Sequence, residues 1–270
     1  MTPVTVVEGN SPIVLAFPHS GTFVPPDIFG LLTPLGQTLA DTDWHVDQLY
    51  TGLLPQATTV RANFHRYVID ANRDPAGSSL YPGQNGTGLV PMTDFDGDAI
   101  WSAVPEPEET AQRLAEWHKP YHEALTAQLD RVQRLHGIVL LFDCHSIRPN
   151  IPFLFDGQLP DFNIGTNSGE SCDSEFQDAV VAICQSNEAS SYVLNGRFKG
   201  GWTTRYYGKP AQNRHAIQME LSQSLYLENG TVPFNYDSGK AESPREILCN
   251  MLASLENIAL SQPTRAGAQL

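Results

Sequence analysis

The stretch that most constrains this chain is His136–Pro149, HGIVLLFDCHSIRP. Ile138 to Phe142 form an unbroken apolar run, short and partly β-branched, the pattern of a strand buried on both faces of a parallel sheet. At its carboxyl end the polarity changes abruptly to Asp143, His145, Ser146 and Arg148, and Pro149 stops the strand. Ligands of open α/β sheets bind just beyond such strand ends. Asp143 and His145 are two apart, so an extended backbone places them on one face. A second copy of the arrangement stands near the N-terminus, where IVLAF at Ile13–Phe17 runs into Pro18, His19, Ser20 and Gly21. Two strands that each end in a His-Ser pair predict two imidazoles meeting at one sheet edge.

The remaining elements follow from periodicity. A helical pattern runs through Leu39, Val46, Leu49, Tyr50, Leu53 and Leu54, and its first turns carry DTDWHVD. That spacing sets Asp43 and Asp47 four apart on a common helix face. Acids early in a helix serve as dipole partners, but Asp41, Asp43, Asp47 and a histidine within seven residues exceed what a cap requires. Thr58–Val60 starts another strand region, followed by a short strand at Tyr67–Ile69 with Arg66, Asp70, Asn72 and Arg73 crowded at its ends. Asp–Arg ion pairing and carboxylate gripping are both open readings there. Residues 75–106, rich in Gly, Pro, Asp and Asn, read as an active-site cover or as a run of irregular short elements. Asp94, Asp96 and Asp98 within it are not a calcium loop, because the position that needs a Glu is Pro105.

Pro107 opens the longest helix, which ends at Gly137 and carries Pro120 inside it, so a kink is expected. His118 and His122 are four apart and can chelate a metal, yet Lys119 stands where a zinc-protease helix has Glu. Residues 151–155 read as extended and 156–171 as loop. A helix starts at Ser174, Tyr192–Leu194 is a short strand, and NGRFKGGWTTRYYGKP reads as a loop close to a ligand. HAIQMEL at His215–Leu221 alternates cleanly, with Gln218 and Glu220 on one face. Ser243, Pro244 and Glu246 predict the start of a C-terminal helix.

These elements describe an α/β chain, a three-layer sandwich with a mixed, largely parallel sheet, and no linker divides residues 1–270 into domains. A formal charge of −14, from 16 basic and 30 acidic residues, argues against a nucleic-acid partner. No apolar run approaches the ~20 residues of a membrane span, and no signal segment is evident. The four cysteines show no C-x-x-C spacing, which favours a reduced, cytoplasmic protein without a cysteine zinc site. Neither a G-x-S-x-G elbow nor a phosphate-binding loop is present. Ser20 and Ser146 directly follow their histidines, a spacing that does not build a nucleophile–base pair.

Five motifs together make the chain recognisable: PHSG at Pro18–Gly21, DTDWHVDQLY at Asp41–Tyr50, HRYVIDANRDP at His65–Pro75, FDCHSIRP at Phe142–Pro149 and GKPAQNRHAIQMEL at Gly208–Leu221. In this order they resemble the N-formylglutamate amidohydrolase family, over most of the chain. The resemblance implies zinc-dependent hydrolysis of N-formyl-L-glutamate to formate and L-glutamate, the last step of a histidine-degradation route. It also implies a fold similar to the zinc carboxypeptidases. In that wider fold the first histidine is followed three residues later by a Glu ligand, but this chain has Thr22 there. The second ligand must then come from elsewhere, and Asp43, the carboxylate at the start of the next element, is expected to join His19 and His145 around one Zn²⁺, with Asp47 in reserve; the resemblance places the general base at Glu220. A substrate with two carboxylates needs cations: Arg148 and Arg73 are expected to take one each, with Arg205, Arg66 and Asn72 as further substrate contacts. Hydrolysis of another N-acyl acidic amino acid, trimming of acidic residues from peptides, and non-catalytic binding of dicarboxylic amino acids are the competing readings.

Overall fold

The structure, a computed structural model, describes residues 1–80 and 83–262 and is built on one seven-stranded mixed sheet. The strands are β1 (Val4–Val7), β2 (Ile13–Phe17), β3 (Thr58–Ala62), β4 (Val139–Ile147), β5 (Phe162–Gly165), β6 (Tyr192–Leu194) and β7 (Arg214–Ser222), in the spatial order β1-β3-β2-β4-β7-β5-β6. The central four, β3, β2, β4 and β7, are parallel. β1 and β5 run antiparallel to β3 and β7, and β6 runs parallel to β5. Strands β2 and β4 are buried along their whole length, as the continuous apolar runs predict.

Helices cover both faces: α1 (Pro26–Phe29), α2 (Val46–Tyr50), α3 (Pro107–Arg113), α4 (Lys119–His136), α5 (Ser174–Gln185), α6 (Trp202–Tyr207) and α7 (Ser238–Ser261). On one face Leu15, Phe142 and Met219 pack with Leu49 of α2, Phe176 of α5 and Leu252 of α7. On the other, Val14, Leu141 and Ala216 pack with Tyr121, Leu125 and Leu129 of α4. The period-2 alternation that sends Leu141 and Ala216 to this second face also sends Asp143, His145, Gln218 and Glu220 there. Toward the strand ends the apolar residues give way to these four, and the face opens into a polar cleft. Among the described residues no helix is long and apolar enough to cross a membrane, and all four cysteines are unpaired.

Several elements differ from the sequence expectation. The helix expected from Leu39 shrinks to α2, because His45 adopts φ 58° and breaks the path before it. Asp43 therefore lies in a turn outside the helix, and Asp47 lies in its first turn. Residues 66–68 form a buried turn and residue 69 is irregular, where a strand was expected, and residues 152–154 form a turn rather than an extended piece. β5 and α6 arise inside segments read as loops, where three- to six-residue elements leave too little periodicity to detect. Helix α7 begins five residues before Ser243, because the Asp237 side chain accepts from both Gly239 N and Lys240 N at 2.9 and 3.0 Å. Pro244 consequently sits inside it. At Pro120 the helix does not kink at the proline. A π turn at Leu114–His118 precedes it and leaves Pro120 in the first turn of α4, where a missing N–H costs little.

Candidate active site

Two strand ends and one turn bring the metal-type donors together. His19 follows β2 by two residues and His145 lies near the end of β4. Asp43 N donates to His19 O at 3.1 Å, which draws the acidic turn against the end of β2. His19 Nδ1 and His145 Nδ1 are 3.2 Å apart, and Asp43 Oδ2 stands 3.2 Å from the latter and 3.8 Å from the former. All three side chains are buried, and their ligand atoms lie within 4.8 Å of one another.

Two carboxylates behind the histidines set the tautomers. His19 Nε2 is 2.7 Å from Asp70 Oδ1, which places its proton on Nε2 and leaves Nδ1 bare. His145 Nε2 has two neighbours at 3.1 Å that ask for opposite states, Asp143 Oδ1 and the amide Nδ2 of Asn72. Asp143 is fully buried, and its Oδ1 has no hydrogen-bond donor of its own. An unpaired buried carboxylate is the costlier state, so a proton belongs on His145 Nε2. Against its burial, Asp143 and Asp43 also push the His145 pKa well up, so without an ion Nδ1 holds a second proton facing Asp43, where a cation would otherwise stand. Two Nδ1 atoms and a carboxylate oxygen this close repel unless a proton or a metal ion lies between them. Donor atoms of a tetrahedral zinc site stand about 3.3–3.5 Å apart, close to the spacings found. Histidines backed by carboxylates are also the usual outer support of such sites. The residues fit a divalent ion.

The electrostatics of the cluster are those of a site rich in buried acid. Buried Asp43, Asp70, Asp143 and Glu220 gather around the donor cluster, and among the described residues the arginines of the cleft wall are Arg66, Arg73 and Arg197. Burial pushes His19 below its ordinary pKa, and Arg66 adds to the effect. Burial opposes ionisation of Asp43, but Arg66, whose Nη2 lies 2.6 Å from Asp43 Oδ1, holds the carboxyl below its usual range. Asp70 is likewise held well down, by Arg73 and His19 against its burial. Burial pushes the Glu220 carboxyl up to about 8, with His145 pulling against the shift.

Glu220 is the direct register partner of His145 across β4 and β7, which puts it beside the donor cluster on the same face. Gly201 supports two neighbours at once. Its N–H donates to Gln218 Oε1 at 2.6 Å, which turns Gln218 Nε2 toward Glu220 Oε2 at 3.3 Å. A Cβ on Gly201 would lie 2.3–2.6 Å from the Asn72 amide. Gly201→Ala is therefore expected to destabilise the fold by about 1–3 kcal/mol, the usual cost of overpacking, and to lower activity. A thermal melt paired with kinetics checks both.

The expected substrate contacts divide. Arg66, Asn72 and Arg73 line the cleft. Arg66 makes one hydrogen bond and its buried Nε has no partner. Arg73 bonds Thr87 O, Thr87 Oγ1 and Asn72 O, which leaves two of its five N–H groups. Arg148 is not brought to the cleft wall, because Asp96 holds its Nη2 at 2.8 Å and Asp41 stands at 4.0 Å. Arg205 is outside the wall too, with Nε donating to Gly200 O at 2.9 Å. Asp47 pairs with Arg61 at 2.9 Å, away from the donor cluster. Arg197, which the sequence reading did not single out, does line the cleft, and its Nε and Nη2 bond Leu154 O and Asn85 O. Phe95 joins it, stacked under Arg66 at 4.9 Å and held by Asp41 through its backbone N–H. In advance, Arg197 was signalled only by its place in NGRFKGGWTTRYYGKP, the segment read as a loop close to a ligand, and Phe95 carried no signal.

Fold and site together define a mixed α/β protein with a buried, carboxylate-backed His–Asp–His cluster at the carboxyl ends of parallel strands. The sequence profile of the N-formylglutamate amidohydrolase family matches residues 11–227. N-formylglutamate deformylases from Pseudomonas aeruginosa and Pseudomonas putida are 42% and 41% identical over 251 residues, 92% of this chain and 94% and 93% of theirs. The crystal structure of an N-formylglutamate amidohydrolase from Ralstonia eutropha superposes with a TM-score of 0.77 at 28% identity, covering 96% of this chain and 97% of that one. A protein from Agrobacterium tumefaciens shares the fold, with a TM-score of 0.70 at 19% identity and 96% coverage of both chains. The chain belongs to the N-formylglutamate amidohydrolase family.

Proposed function

We propose that this protein is a metal-dependent N-formylglutamate deformylase, releasing formate and L-glutamate in the terminal step of histidine degradation. The observation that carries the metal dependence is the convergence of the two histidine Nδ1 atoms and the Asp43 carboxylate on one point. His19, Asp43 and His145 would hold the ion. When bound, zinc supplies Lewis acidity and lowers the pKa of a water to about 7. Asp70 and Asp143 keep the histidine protons turned away from the donor cluster. Glu220 takes the proton of the attacking water and passes it to the amide nitrogen as the C–N bond breaks, so that formate and a free amine leave. A cation among the neighbouring donors favours ionised Glu220, which links base function to metal loading. The likeness to the zinc carboxypeptidases, with their late-strand Glu base, belongs to this same reading.

Arg66 and Arg73 meet the substrate carboxylates with the N–H groups that the protein leaves unused. Removing a charge-assisted partner costs about 2–5 kcal/mol, so Arg73→Ala is expected to reduce kcat/KM at least ~30-fold. If Arg73 meets the side-chain carboxylate, the preference for N-formylglutamate over N-formylmethionine falls with it. Arg148→Ala, outside the cleft, leaves that preference within about 3-fold. A two-substrate comparison of these variants checks the assignment, and an unchanged preference in Arg73→Ala moves the side-chain role to Arg66. The activity itself is tested by formate release from N-formylglutamate before and after chelator, with recovery on adding zinc. Turnover that survives complete metal removal overturns the metal-dependent reading.

A further inference from the structure

The two histidines of the longest helix lie outside the cleft, on the far side of one of its walls. His118 ends the π turn and His122 sits one turn into α4, with ring centroids 4.4 Å apart. His122 Nε2 is 2.8 Å from Ala71 O and His118 Nε2 is 3.1 Å from Arg73 O. A carbonyl only accepts, so both Nε2 atoms carry protons and offer no lone pair to a metal. The Tyr207 hydroxyl stands 3.1 Å from the bare His122 Nδ1 and 3.3 Å from His122 O, so it has both acceptors within reach of its one proton. Burial lowers both pKa values, that of His122 to about 3, which keeps the rings neutral with one N–H each.

The two carbonyls belong to the turn at residues 70–73, which faces the active site on its other side. Asp70 bonds His19, Asn72 abuts His145, and Arg73 lines the cleft. The remaining two carbonyls of this turn are taken internally, Asp70 O by Arg73 N at 3.2 Å and Asn72 O by Arg73 Nη1 at 3.0 Å. No other helix residue donates to the turn's carbonyls among the described contacts. Trp202 packs edge-on to His122 at 4.8 Å, and the next residue, Thr203, donates its N–H to Asn72 Oδ1 at 2.8 Å. The same cluster therefore grips the turn by its backbone and by a side chain.

We propose that His118 and His122 are positioning residues for the active site, whose N–H groups hold the Asp70–Arg73 turn so that Asp70 orients His19 and Arg73 faces substrate. The inference rests on the deformylase reading for its kinetic readout and not for its metal readout. Loss of outer support of this kind typically weakens a metal site 10–100-fold.

The test compares His122→Phe, which fills the space without an N–H, with His122→Gln, which returns an amide N–H near the Nε2 position. Zinc affinity is measured by competition with a chromophoric chelator, kcat and KM with N-formylglutamate, and folding by thermal melt. The expected result is a loss of at least ~10-fold in both zinc affinity and kcat for His122→Phe, with His122→Gln restoring both to within about 3-fold. A packing role alone would favour Phe over Gln. Wild-type zinc affinity and kcat in folded His122→Phe, or equal impairment of the two variants, overturns the proposal. If His122→Phe does not fold, the same comparison at His118 decides. A wild type that binds zinc but releases no formate sinks the deformylase reading alone, and the zinc arm still judges this one.

Discussion

His145→Ala is expected to lose the metal and to lower turnover by at least about 10³-fold, equivalent to about 4 kcal/mol. The cluster has three donors, and two cannot hold a catalytic ion with its open position. The substitution also strips Asp143 and Asp43 of the imidazole between them. Leaving buried charges unpaired costs about 3–5 kcal/mol, so the melting temperature should fall as well. Metal per chain, measured on the purified variant beside its kcat, separates the two effects. Asp43→Asn is expected to behave similarly, whereas Asp47→Asn, which removes only a half-exposed partner of Arg61, keeps metal and turnover. Full zinc retention in His145→Ala overturns the ligand assignment, and metal loss in Asp47→Asn in place of Asp43→Asn reassigns the acid.

Glu220→Gln should separate chemistry from binding. General-base removal costs about 10²–10⁴-fold in kcat. The substitution conserves volume, and the Gln218 amide that faces Glu220 Oε2 retains an oxygen to bond. Burial pushes the native carboxyl up to about 8, so in the metal-free protein at neutral pH the site already holds a mostly neutral side chain. The folded state therefore tolerates an uncharged amide there, and the metal-free variant should melt within a few degrees of wild type. Zinc content should be unchanged, because Glu220 is not among the converging donors. A wild-type kcat removes Glu220 from the reaction, while metal loss would make it a ligand.

Much of this site was legible because strand alternation is a local property. A period of two residues placed Asp143 with His145 and Gln218 with Glu220, and a run of apolar residues placed the strands beneath them at the centre of the sheet. The neighbourhood of β2 and β4, which seats His19 beside His145, followed from two apolar runs ending in the same dipeptide. Irregular backbone was not legible. His45 turns through a positive φ and splits Asp43 from Asp47, although helical spacing had joined them. Short elements such as α6 and β5 carry too few residues to show a period.

By itself, then, the sequence determined the parallel strands, the residues at their carboxyl ends and the family to which they belong, because each depends on neighbours within a few positions. Only the tertiary structure decided which acid turns toward the histidines and which arginines face the cleft. Arg148 is three residues from His145 and still pairs with Asp96, while Arg66 crosses 23 positions of chain to grip Asp43. It also showed that His118 and His122 back the Asp70–Arg73 turn. A long charged side chain goes to whichever buried or half-buried counter-charge lies within reach, and reach is set by packing between segments far apart in the chain.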